Sequence, residues 1–158
     1  MASFEERIFG LGSEALAEQE RQVAEVRGRA SALLAGGAVI ASLLAGPVFD
    51  GRHPRGASEL IATAIGLVGA AGLLIFVLLL LRPYTLGFSV NAGATYRALW
   101  EQGILEQPMV DIALAEAFEE RRTLNAPAVR RLTVFLTLAL VAAVLETAGL
   151  ATSAALAS

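Results

Sequence analysis

Glu146 is the residue best suited to do chemistry in this chain, because it is the one charged residue in the hydrophobic stretch 132–158. A charged side chain inside a bilayer is costly, and such residues usually serve binding, relay or gating. On a helix it shares a face with small residues, which are Ala139, Ala142, Ala143, Gly149 and Ser153. We therefore predict that the Glu146 face lines a pore or gate, where a ring of carboxylates in an oligomer would favour cations.

Two other interpretations of Glu146 stay open. If the helix ended at Gly149, the side chain would simply reach the outer interface of the membrane. Alternatively, the carboxylate would pair with Arg52, His53 or Arg55 in a short external loop.

A second group of candidates comprises the basic residues Arg97, Arg121 and Arg122 and the aromatic residues Tyr96 and Trp100. Guanidinium groups bind phosphates, and aromatic rings stack on bases. This composition suits a cytoplasmic nucleotide or oligonucleotide ligand. The neighbouring acidic residues favour the alternative, in which these side chains belong to solvated helix faces.

Other kinds of site are not indicated by the sequence. The chain has no cysteine and one histidine, so we expect no metal. There is no glycine-rich phosphate loop with a following lysine and hydroxyl residue, and no nucleophile at a credible distance from a base. The net charge of −3 argues against a general nucleic-acid coat. We predict no cofactor and no enzymatic activity.

The elements that hold these residues are predicted to be membrane helices. Of the 158 residues, 56% are hydrophobic and 17% are charged. Residues 30–49, 60–81 and 129–158 each form a stretch that matches the ~20 residues needed to cross a bilayer. The sequence therefore predicts an all-α integral membrane protein with three transmembrane helices.

Small residues recur every four positions in the first two predicted spans. They are Gly37, Ala41 and Ala45 in the first, and Ala62, Gly66 and Ala70 in the second. This spacing lets helix backbones approach closely in lipid. Three helices cannot enclose an aqueous path, so conduction would require a homo-oligomer.

The remaining segments, 1–29 and 82–128, predict an amphipathic N-terminal helix and a helical hairpin. Ser13 is a plausible cap for a helix that runs unbroken into the first span. Glu18 with Arg21, and Glu25 with Arg29, have the spacing of ion pairs.

In the hairpin, Asn91 would cap a first helix that ends at Gly103, and Pro108 suits the first turn of a second helix. The second helix carries an apolar stripe of Val110, Leu114, Ala117, Phe118 and Leu124, with Asp111 and Glu116 among the acids largely off it. Pro127 either opens the third span or kinks a continuous helix.

Arginine placement predicts the orientation, because basic residues near short loops stay in the cytoplasm. Ten arginines lie before the first span or between the second span and Leu132, where the third hydrophobic stretch begins, and two lie in loop 50–59. This places the N terminus and the hairpin in the cytoplasm, and loop 50–59 and the C terminus outside.

The order of parts carries a family resemblance. A charged helix runs into Arg27-Gly28-Arg29-Ala30-Ser31-Ala32-Leu33-Leu34, and a close pair of spans and amphipathic cytoplasmic helices follow. This arrangement resembles the SLATT-type and related small transmembrane effectors of bacterial antiphage systems. The resemblance implies inner-membrane location, a nucleotide signal made by a partner nucleotidyltransferase, and membrane depolarisation on activation. Many such effectors have two spans, whereas residues 129–158 supply a third here.

Two functional hypotheses follow from the sequence. The first is an oligomeric inner-membrane effector that forms or gates an ion path under control of a cytoplasmic signal. The second is a non-conducting membrane scaffold or accessory subunit whose cytoplasmic helices dock a protein partner.

Overall fold

A computed structural model of the chain describes residues 4–49, 56–84, 86–88, 92–103 and 106–157. These residues form four α-helices: α1 (Phe4–Phe49), α2 (Ala57–Leu81), α3 (Ala92–Glu101) and α4 (Gln107–Ala157). No strand occurs in the described ranges, as predicted for an all-α protein. Alanine, leucine, glutamate and arginine, all strong helix formers, make up much of the two longest helices.

Two of the helices are long and apolar enough to cross a membrane. They are α2 over Ala57–Leu81 and the part of α4 over Pro108–Leu156. These helices correspond to the second and third predicted spans. The first predicted span, 30–49, lies within α1 and stays a prediction, as does the topology.

The described chain divides into two compact units. Unit 1 contains residues 1–24 and 84–131, and unit 2 contains residues 25–83 and 132–158. Helices α1 and α4 each contribute to both units. Unit 2 carries Glu146 and all the predicted packing residues, while unit 1 carries the candidate ligand residues.

In unit 1, aromatic and glycine contacts join α1 to α4. The rings of Phe9 and Phe118 are tilted at 55° with centroids 5.6 Å apart. A Cβ placed on Gly12 would lie 3.3 Å from the Phe118 Cβ, so glycine allows the close approach of α1 to this ring. The Gln19 side-chain amide also donates to the Arg122 carbonyl at 3.3 Å.

Several local predictions are confirmed. Glu18 pairs with Arg21 at 3.3 Å, and Glu25 pairs with Arg29. Helix α3 ends two residues before Gly103, whose φ of 74° is a backbone conformation that glycine adopts without strain. Pro108 lies in the first turn of α4.

Other local predictions are wrong. In the described chain α1 is continuous from Phe4 and does not begin near Ser13, whose hydroxyl donates to the Gly10 carbonyl at 2.9 Å. Gly12 packs against Phe118 of α4, and this contact offsets the low helix propensity of glycine. Of the alternatives for Pro127, the structure contains the continuous helix, so α4 does not begin there. Asn91 lies outside the described residues.

The predicted stripe on α4 is confirmed in part, because Val110, Leu114, Ala117 and Phe118 are half-buried. Leu124 is exposed, whereas Asp111, Ala115 and Asn125 are buried. The face of α4 that is buried in unit 1 therefore lies about one residue away from its most apolar face. It contains two polar residues, Asp111 and Asn125.

Among the described residues, buried positions recur with a period of seven or with steps of three and four. On α1 they are Leu16, Val23, Ala30 and Gly37. On α2 they are Ala62, Gly66, Gly69, Leu73, Val77 and Leu80. On α4 they include Leu132, Leu136, Ala139, Glu146, Leu150 and Ser153. This spacing is typical of helices that pack with a small left-handed crossing angle.

Candidate functional site

Glu146 lies in the interior of unit 2, between α1 and α2. Its side chain is buried, with 2% of the residue exposed. A Cβ placed on Gly37 of α1 would lie 3.1 Å from the Glu146 Oε2 and 2.6 Å from the Leu73 Cδ2. Leu73 and the carboxylate therefore both lie against the space that the absent side chain of Gly37 leaves open.

A glycine on α2 faces the backbone of Glu146 on its other side. A Cβ on Gly69 would lie 2.8 Å from the Glu146 Cα and 2.9 Å from the Ala142 carbonyl oxygen. Real Cβ atoms do not approach backbone atoms so closely. Glycines on α1 and α2 thus enclose Glu146, and any larger residue at position 69 would separate α2 from α4.

The Glu146 carboxylate is incompletely satisfied. Its Oε2 atom is buried and has no hydrogen-bond partner among the described residues. Burial of an ionised group without compensating hydrogen bonds is strongly unfavourable. This cost is the physical reason to regard Glu146 as more than a packing residue.

The predicted strip around Glu146 packs inside the protomer. Ala139, Ala142 and Gly149 are buried, and Ala143 is half-buried. The interpretation in which α4 ends at Gly149 is wrong, because the helix continues to Ala157. Arg52, His53 and Arg55 lie outside the described residues. A carboxylate ring around a shared axis stays a prediction.

The predicted packing residues are mostly on the inner faces of their helices. Gly37, Ala62 and Gly66 are buried, while Ala41 and Ala70 are half-buried. The side chain of Ala45 is outside the described set. A Cβ on Gly66 would lie 2.8 Å from the Leu150 Cγ, so this glycine brings α2 against α4.

A buried hydrogen bond reinforces the contact between α2 and α4. The hydroxyl groups of Thr63 and Ser153 are 2.7 Å apart, and Ser153 is fully buried. Sequence reasoning missed this pair and also Gly69. The sequence does contain a pattern that places Gly69 on the inner face of α2. Ala62, Gly66, Gly69 and Leu73 follow one another at steps of four, three and four residues.

The candidate ligand residues in unit 1 are held by different neighbours. Arg122 pairs with Glu119 at 3.1 Å, whereas the Arg121 Nη1 lies 3.3 Å from the position that a Cβ on Gly87 would take. Arg97 and Trp100 are exposed on α3. Nothing is described of the Tyr96 side chain. The described contacts do not gather these residues into one pocket.

Asn125 is a structural residue of unit 1 that sequence reasoning missed. Its side-chain oxygen accepts from the Gly87 N–H at 3.2 Å, and its side-chain nitrogen donates to the Gly87 carbonyl at 3.0 Å. One amide thus satisfies both backbone groups of a residue outside the helices. The sequence feature that could have indicated Asn125 is its spacing of fourteen residues from Asp111, which is also a buried polar residue of α4.

A metal site is not found within the described part of the chain, where no group of three histidine, cysteine, aspartate or glutamate side chains is close enough to hold an ion. Comparisons with protein-family models, curated proteins and solved structures find no match to this chain. The site therefore has to be interpreted from its own chemistry.

Proposed function

We propose that this chain is an oligomeric protein of the bacterial inner membrane that forms or gates an ion path. The observation that carries the proposal is the buried Glu146 carboxylate, one oxygen of which has no partner in the described structure. Evolution tolerates so costly a group in a hydrophobic helix chiefly where it serves function, and carboxylates select cations in pores.

In this proposal the described conformation is closed. Gly37 and Leu73 cover the carboxylate within its own protomer, so an ion could not reach it. Opening would require α1 to move away from Glu146. The pair of α2 and α4 stays fixed, because backbone atoms meet at Gly66, Gly69 and Gly149 and a hydroxyl pair adds a hydrogen bond.

Control by a cytoplasmic nucleotide or oligonucleotide is part of the proposal, as is a role in antiphage defence with a nucleotidyltransferase-type partner. Its support is the resemblance described from the sequence and the exposed Arg97 and Trp100 on α3. The N terminus and unit 1 would then be cytoplasmic.

Expression of the chain in a bacterium with a membrane-potential dye tests the ion path. We expect depolarisation by the wild type and its loss in Glu146→Gln, which keeps the shape and removes the charge. Glu116→Gln, an exposed carboxylate on the same helix, is the matched control and should depolarise like the wild type. Equal depolarisation by all three proteins would exclude Glu146 from the mechanism.

A non-conducting scaffold or accessory subunit is the second candidate. It is favoured by large apolar side chains on unit 1, where Leu11, Leu124, Trp100 and Met109 are 67%, 63%, 57% and 51% exposed. Such residues often mark a protein-binding surface when they are contiguous. A protein that inserts into liposomes, stays monomeric and carries no current would favour this candidate.

A further inference from the structure

A groove of about 440 Å³ lies within unit 2, between α1 and α4. Arg29, Gly36 and Gly37 are among the residues that line it from α1, and Leu140, Ala143 and Thr147 are among those from α4. Gly36, Gly37 and Ala143 have small side chains or none, so they leave a depression between the larger side chains around them. From Arg29 to Ile40 the α1 wall is about 16 Å long.

The groove wall is apolar apart from Arg29 at one end. The Thr147 hydroxyl faces this groove but donates to the Ala143 carbonyl of its own helix at 2.8 Å. A polar occupant would therefore lose its hydrogen bonds to water without replacement along most of the groove. The lining favours a hydrocarbon chain.

The size of the groove argues against a helix as its occupant. A helix is ~10 Å across, so a helix lying along the groove would keep most of its surface outside it. A flexible, narrow chain matches it better.

The charge near the Arg29 end selects the headgroup. Because α2 returns antiparallel to α1 within unit 2, Arg82 lies at the same end as Arg27 and Arg29. Glu25 is the acidic residue beside these three arginines, and its carboxylate pairs with one nitrogen of the Arg29 guanidinium. The remaining guanidinium N–H groups can donate to phosphate oxygens.

We infer that this groove binds one acyl chain of an anionic phospholipid, with the phosphate of the lipid at Arg29. The inference rests on the membrane location in the proposed function and is independent of ion conduction. It gives Arg29 and Gly36 a role in lipid binding. Neither residue is part of the Glu146 site.

The test is lipid add-back to the full chain, purified and delipidated in mild detergent and observed by native mass spectrometry. The two probes are phosphatidylglycerol and phosphatidylcholine with identical acyl chains. Wild type should retain phosphatidylglycerol about fivefold more strongly, the effect of one arginine near an anionic headgroup. Arg29→Gln should lower this preference, and a preference equal to that of the wild type would exclude Arg29 from the site.

Gly36→Leu should remove most binding of both lipids by filling the groove. Gly28→Leu is its matched control, since both glycines are on α1, both have open space around them, and Gly28 does not line the groove. Helical circular dichroism of each variant establishes that it is folded. Equal lipid retention by Gly36→Leu and Gly28→Leu would overturn the inference.

A Gly36→Cys variant that cross-links into a dimer and excludes lipid would also overturn it. Conductance measured on the same preparations separates the two proposals. Lipid retention without current leaves the lipid site in place and removes the ion path, whereas current with no lipid preference does the reverse.

Discussion

Gly149 of α4 lies directly against Gly66 of α2. A Cβ placed on Gly149 would be 2.7 Å from the Gly66 Cα and 2.9 Å from the Ala62 carbonyl oxygen. Both obstacles are backbone atoms of a helix, which cannot move aside as the end of a side chain can. The distance between α2 and α4 is therefore set at this contact.

Gly149→Ala should destabilise the protein, because the new methyl group would force the two backbones apart. We expect a cost of about 1–3 kcal/mol, the usual range for overpacking. Unfolding in mixed micelles of increasing SDS content, followed by circular dichroism, measures the change. Gly46→Ala is the control: it faces open space on α1 and should be neutral or slightly stabilising. Equal stability of the two variants would contradict the described contact.

The hydrogen bond between Thr63 and Ser153 should make a small, measurable contribution. A double-mutant cycle with Thr63→Val and Ser153→Ala should give a coupling of roughly 0.6 kcal/mol, the average for such bonds in membrane proteins. Thr137→Val paired with Ser153→Ala is the control cycle, since the Thr137 hydroxyl donates to its own helix. A coupling no larger than in the control would mean that the Thr63 bond does not form.

Asn125 should be required to hold the backbone at Gly87. Asn125→Leu leaves a carbonyl and an N–H without their partner, at a cost of about 1–3 kcal/mol. Asn125→Asp keeps the acceptor for the Gly87 N–H and loses the donor to the Gly87 carbonyl, so only one of the two hydrogen bonds remains. Hydrogen exchange at the Gly87 amide distinguishes them: we expect fast exchange in Asn125→Leu and slower exchange in Asn125→Asp. Unchanged protection in both would refute the pairing.

Gly37→Ala tests whether α1 covers Glu146. The added methyl group would press on Leu73 and on the carboxylate, which weakens the closed conformation. If overpacking destabilises the closed conformation by ~1.4 kcal/mol, basal depolarisation should rise about tenfold. The double variant Gly37→Ala with Glu146→Gln should be silent. Gly36→Ala, which faces open space, should behave like the wild type, and depolarisation of Gly37→Ala no greater than this control would count against gating by α1.

The orientation can be measured with single cysteines, because the chain has none of its own. A membrane-impermeant maleimide should label His53→Cys and Ser158→Cys in intact cells, since both positions are predicted outside. Ser3→Cys and Arg97→Cys should react only after permeabilisation. Labelling of Ser3→Cys and Ser158→Cys from the same side would mean an even number of spans.

Features that depend on neighbouring residues were predictable from the sequence. The ion pair between Glu18 and Arg21, the helix end before Gly103 and the first-turn position of Pro108 each follow from contacts or dihedral preferences within a few residues. The helical, apolar character of α2 followed from its length and composition.

Features that depend on packing were less predictable. The sequence indicates the small residues around Glu146. It does not indicate which helix each of them contacts, because the composition of a helix face does not identify the helix that packs on it. Gly10 and Gly12 are helical despite the low helix propensity of glycine, and Gly12 packs against Phe118 of α4. Buried Asp111 and Asn125 shift the inner face of α4 away from its most apolar stripe, which hydrophobicity alone cannot reveal.

Four buried positions among the described residues of α1 form a size series. Leu16, Val23, Ala30 and Gly37 follow one another at intervals of seven residues, and each side chain is smaller than the one before. At the last step the side chain disappears, and Leu73 of α2 and the Glu146 carboxylate of α4 lie against the vacated position. The charge is thus accommodated by the removal of a side chain from α1. A single carbon atom added to Gly37 would press on both neighbours.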